Sequence, residues 1–102
     1  MHVIIDLCVV PLGVGVSVSS YVALCQREID AAGLSYRMHA YGTNIEGEWD
    51  AVMAVVKRCH EAVHEAGAPR ITTTMKLGTR TDRHQSMDDK VTSVEQVLSG
   101  EQ

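Results

Sequence analysis

The order in which the apolar periodicity changes along the chain limits its fold more than any other feature. Val22, Cys25 and Ile29 recur at helical spacing, and so do Val52, Val55, Val56, Cys59 and Val63. Each of these stripes lies between runs rich in β-branched residues. Residues three and four apart share one face of a helix, whereas alternate residues share one face of a strand. The chain therefore switches from strand to helix and back twice.

The first run, His2 to Val10, reads as a strand ended by Pro11 and Gly13. Val3, Ile5, Leu7 and Val9 make one wholly apolar face. His2, Ile4, Asp6, Cys8 and Val10 make the other, and the charge at its centre turns it toward a partner or ligand. The first helix follows residues 16–21 and runs to Ala32, with Ser17 or Ser19 as N-cap and Gly33 as the C-terminal stop. Leu34 to Gly42 reads as a second strand, Gly42-Thr43 as the turn, and Asn44 to Glu48 as a short third strand. A second helix runs from Glu48 or Asp50 to Ala66, stopped by Gly67 and Pro69. Ile71 to Thr79 is a fourth strand, and after a polar loop a last helix spans Met87 to Leu98.

This order predicts an α+β fold, the ferredoxin-like βαββαβ antiparallel sheet with an extra C-terminal helix, as a single domain over residues 1–102. Two helices cover one sheet face and leave the other bare. With Met38 and Ala40 turned inward, the bare face carries Asp6, Cys8, Arg37, His39, Tyr41, Thr72, Thr74 and Lys76. Such a mixture of hydroxyls, opposite charges and one aromatic ring suits a subunit interface, a polar ligand site, or a ligand held between subunits.

Several function classes are excluded. The formal net charge is −4 and no stretch collects Lys and Arg, so nucleic-acid binding is not expected. No apolar run approaches the roughly 20 residues of a membrane span. The apolar N-terminus is broken by Asp6 and has no basic leader, which makes it a strand and not a signal peptide. Three widely spaced cysteines without a CxxC pair point to free thiols in a reducing, cytoplasmic setting. His60-Glu61-Ala62-Val63-His64 fits the HExxH zinc pattern, yet no third ligand has recognisable spacing, so a chance match is the expectation. Gly13-Val14-Gly15 lacks the Lys-Ser/Thr of a phosphate loop, although the amides and hydroxyls of residues 17–20 could meet an anion at a helix N-terminus. Arg80, Asp82 and Arg83 read as surface or intersubunit ion pairs. No nucleophile–base pair can be assigned, and neither enzymatic activity nor a cofactor or metal is expected.

Pro11-Leu12-Gly13, residues 17–23, Gly42-Thr43-Asn44-Ile45-Glu46-Gly47, His60-Glu61-Ala62, Thr73-Thr74-Met75-Lys76, Arg80-Thr81-Asp82 and Lys90-Val91 occur in an order that resembles the small thiamine-binding-protein family. The resemblance spans nearly the whole chain. It implies homo-oligomers, a dimer of dimers assembled through sheet faces, that bind thiamine or its hydroxymethylpyrimidine part without a catalytic step. Carried over by motif, Ser17, Ser19, Thr43, Glu46 and Lys76 are expected near the ligand. Asp6 and Tyr41 come instead from the alternation of strand faces. Glu46 or Asp6 would accept from an aminopyrimidine or balance a thiazolium charge, and Tyr41 would stack on a ring or meet the cation. A plain structural reading makes Thr43 a turn residue and Glu46 a carboxylate leading into a helix. The competing function is a protein-interaction or regulatory module that uses the open sheet face and has no small-molecule ligand.

Overall fold

The computed structural model describes residues 1–100. Seven elements follow one another: β1 (His2–Leu12), α1 (Ser19–Ala31), β2 (Ser35–His39), β3 (Gly42–Glu48), α2 (Trp49–Glu65), β4 (Arg70–Thr79) and α3 (Met87–Leu98). The sheet order is β2-β3-β1-β4, with every neighbouring pair antiparallel. This is the ferredoxin-like arrangement expected from the chain order. The apolar face of β1 lies in the core as the alternation predicts: Val3, Ile5 and Leu7 are buried, with Val9 packed at the margin. Ile45 of β3, Cys25 and Ile29 of α1, and Val52, Val55, Cys59 and Val63 of α2 complete it. Each large aliphatic side chain taken from water there contributes roughly 1.5–3 kcal/mol. Met75 and Leu77 also point to the helix side, but β4 is an edge strand and both remain more than a third exposed.

Three local expectations are corrected. β1 does not stop before Pro11 but continues to Leu12, paired with β4. The Met1 carbonyl accepts from the Trp49 amide, so odd-numbered residues of β1 aim their backbone groups toward β3 and even-numbered ones toward β4. The pairing with β3 ends at Leu7. The missing amide of Pro11 therefore faces a side with no strand, and the ladder loses nothing. Second, the hairpin turns at Ala40-Tyr41, not Gly42-Thr43, with His39 opposite Gly42. Gly42 is a strand residue: a Cβ there would lie 2.5 Å from the Leu7 carbonyl oxygen, so glycine is required by close approach and not by the turn. Third, neither serine caps α1, because Val18 occupies the N-cap position with no side-chain bond and Ser19 already lies inside the helix.

The open face of the sheet is partly covered. Arg80 to Ser86 loops back over its β1 N-terminal end, and the Met87 amide donates to Glu46 Oε2 at 2.8 Å. The ring of His84 meets that of His2 edge-on at 4.8 Å, and Arg37 pairs with Asp88 at 2.6 Å. The N-terminus of α3 is closed by a capping box between Ser86 and Asp89. Beyond Met87 the helix leaves the body, and the molecule is 50 Å in its longest dimension. No helix among the described residues is long and apolar enough to cross a membrane.

Candidate ligand-binding site

Beyond Leu7, β1 has lost β3 as a neighbour while the β2–β3 tip still stands beside it. The first turns of α1 close this gap from the helix side. The result is a slot of about 230 Å³ whose walls come from Cys8–Val10, from Val18, Val22 and Gln26, and from residues 38–43. Val9 follows Leu7 in the odd-numbered series, so its N–H and C=O face the side that β3 has vacated. That leaves a neighbouring donor and acceptor without a strand partner on an otherwise apolar wall. No Asp, Glu, Lys or Arg lines the slot.

Thr43 is the polar anchor. Its position in β3 alternates with Ile45 and turns it under the helices, where it is 3 % exposed. Its Oγ1 accepts from Gln26 Nε2 at 2.7 Å, which leaves its own proton free to donate. Behind the wall the Cys59 thiol donates to the Cys25 carbonyl at 3.8 Å. Contact with Cys25, followed by burial, drives the Cys59 thiol far above its ordinary range, so it is inert and not a nucleophile.

The residues expected near a ligand are divided by the sheet. Thr43 lines the slot, Tyr41 stands at its mouth 87 % exposed, and exposed Ser17 and Ser19 flank Val18, whose side chain enters the lining. Tyr41 is thus a turn residue, one step past the strand face to which alternation assigns it. Asp6 and Lys76 oppose each other on the open face, but Asp6 pairs with His39 Nε2 at 2.6 Å and not with the lysine. The Tyr41 amide donates to His39 Nδ1, which puts the ring proton on Nε2, where the Asp6 carboxylate accepts it. Glu46 lies at the far end, buried and engaged by Met87, so it neither leads into α2 nor reaches the slot. Glu48 takes the N-cap position of α2 and pairs with the N-terminal ammonium. The HExxH histidines are spoken for: His60 Nε2 shares a hydrogen bond with Thr73 Oγ1 at 2.6 Å, and His64 Nδ1 donates to the Ala68 carbonyl at 2.8 Å. Among the described residues no three His, Cys, Asp or Glu side chains cluster as a metal site.

The profile of the thiamine-binding protein family matches residues 5–95. The chain belongs to that family. A UPF0045 protein of Synechocystis is 70 % identical over 95 residues, which cover 93 % of this chain and 78 % of that one. A UPF0045 protein of Eremothecium gossypii is 48 % identical over 97 % of this chain and 95 % of its own. Among solved structures, a hypothetical protein of Methanocaldococcus jannaschii superimposes with a TM-score of 0.86 at 26 % identity, covering 92 % of this chain and 96 % of that one. Family membership makes small-molecule binding the role to which the slot is fitted.

Two parts of the slot escape a reading of the sequence. Gln26 sits beside the apolar stripe of α1 and looks like a solvated flank. The Val9 backbone carries no residue-specific signal at all. Only the point at which β3 leaves β1 reveals it.

Proposed function

We propose that this family member binds thiamine by its aminopyrimidine end in the slot beside Val9, as a cytoplasmic homo-oligomer with no chemical step. One observation carries the reading: the unpaired N–H and C=O of Val9 face the slot beside the Thr43 hydroxyl. An aminopyrimidine presents a ring-nitrogen acceptor next to an amino donor, the complement of such a strand edge. The apolar walls suit the ring faces, and the charged thiazolium would lie outward, near Tyr41 and the Asp6–His39 pair.

Thermal melting of the purified protein tests it. Thiamine and hydroxymethylpyrimidine should both raise the melting temperature saturably, since a ligand at 100 times its Kd adds about 2.7 kcal/mol to the folded state. Thr43→Val should weaken both by roughly tenfold, the worth of one well-placed hydrogen bond, while Thr43→Ser retains binding. A well-folded protein that neither compound stabilises would remove the thiamine reading. It would favour instead an interaction module, for which the exposed Val94, Val97 and Leu98 of α3 are the motivating surface.

A further inference from the structure

A second, larger cavity, about 380 Å³, lies at the other end of β1, between the open sheet face and the segment that leads into α3. Its walls include Arg80, Arg83 and Lys90 with His2 and His84, and no Asp or Glu. The chain as a whole has 13 acidic and nine basic residues, and three of those nine basic residues line this one cavity. Arg80 is fixed in the wall, doubly bonded to Asp82 and bonded to Gln85 Oε1 at 2.8 Å. Arg83 and Lys90 form no ion pair among the described residues. Of the acids adjacent in sequence, Asp82 beside Arg83 is bonded to Arg80, and Asp89 beside Lys90 belongs to the helix cap, accepting from the Ser86 amide at 3.0 Å. His2 Nε2 is buried without a hydrogen bond, 3.4 Å from Glu46 Oε2, which accepts from the Met87 amide. Two cations without an ion pair and one buried imidazole nitrogen without a hydrogen bond therefore line this cavity.

We propose that this cavity is an anion site for the phosphomonoester of a small organic molecule, separate from the slot beside Val9. Two unpaired cations match the charge of a phosphate dianion, and the planar fork of Arg83 suits its oxygens. The volume falls in the range of organic-ligand pockets, far more than a bare phosphate fills, and Ile4 on the floor offers apolar contact to the organic part. The two sites lie at opposite ends of β1, so a failure of thiamine binding would leave this proposal standing, and the reverse.

Calorimetric titration of the full chain with phenyl phosphate, phenol and inorganic phosphate tests it. Phenyl phosphate should bind saturably, phenol should not, and inorganic phosphate should bind about tenfold more weakly for want of the apolar contact. The double variant Arg83→Gln/Lys90→Gln should lose about tenfold or more in affinity for phenyl phosphate with an unchanged melting temperature, because both side chains are exposed and unpaired. Lys57→Gln, on the exposed flank of α2, should bind like the parent. No phenyl phosphate binding at millimolar concentration, equal binding of phenol, equal binding of inorganic phosphate, or full affinity in the double variant would each overturn the assignment.

Discussion

Asp82 and Arg80, two residues apart in the loop before α3, form a bidentate pair at 2.5 and 2.8 Å that holds Arg80 where it lines the larger cavity. The guanidinium, helped by backbone amides, pushes the Asp82 carboxyl down to about 2 from its ordinary 3.8. A carboxyl depressed in the folded state contributes stability that is complete above its unfolded value and is lost as the pH falls through its folded one. Asp82→Asn should therefore lower the melting temperature by a small amount at pH 6. That difference should shrink between about pH 4 and pH 2 and vanish below, and added salt should reduce it because the pair is exposed. Melting curves followed by circular dichroism across this range decide the matter, and a difference that persists at pH 2 would mean that charge is not its source. At this scale Arg80-Thr81-Asp82 is legible as an ion pair from spacing alone. Glu46 is not, because its partner, the Met87 amide, lies 41 residues away.

Among the elements, the β2–β3 hairpin shows what a residue type can conceal. A glycine between two strand-like runs reads as a turn, yet Gly42 sits inside β3, where a side chain would strike the Leu7 backbone. Gly42→Ala should cost about 1–3 kcal/mol, since neither backbone can give way, and should lower thiamine affinity by pushing the hairpin tip away from β1. Gly78 has no atom within 4 Å of its would-be Cβ, and Gly78→Ala should change stability by less than about 0.5 kcal/mol. Urea denaturation of both variants compares them, and equal stability would show that the hairpin does not press on β1. Pro11 makes the same point from the other side. As a chemical unit it predicts a break, but the departure of β3 makes its missing donor harmless and leaves the strand intact.

Over the whole molecule the least satisfied feature is α3. Met87 is buried, but Val91, Val94 and Leu98, on the same stripe, are 48 %, 60 % and 80 % exposed. An apolar stripe of this kind invites a cover, and a second copy of the chain is the occupant that the oligomer reading supplies. Sedimentation should give a multiple of the chain mass, and Val94→Glu/Leu98→Glu should reduce it. A parent protein that sediments as a monomer would remove the oligomer from the proposed function.

The element order, the core face of β1, the stripes of α1 and α2 and the bounds of α3 were determined by the sequence alone, because periodicity is a local property that burial merely rewards. Which candidate residues share a site was decided by tertiary structure. Thr43 and Glu46 are three residues apart on one strand, and the pleat puts them on opposite faces of the sheet. Asp6 meets His39 across β3, and the slot exists only because one strand ends while its neighbour continues. Those relations depend on register and on where pairing stops. Both are set by long-range backbone hydrogen bonds that no short stretch of sequence carries.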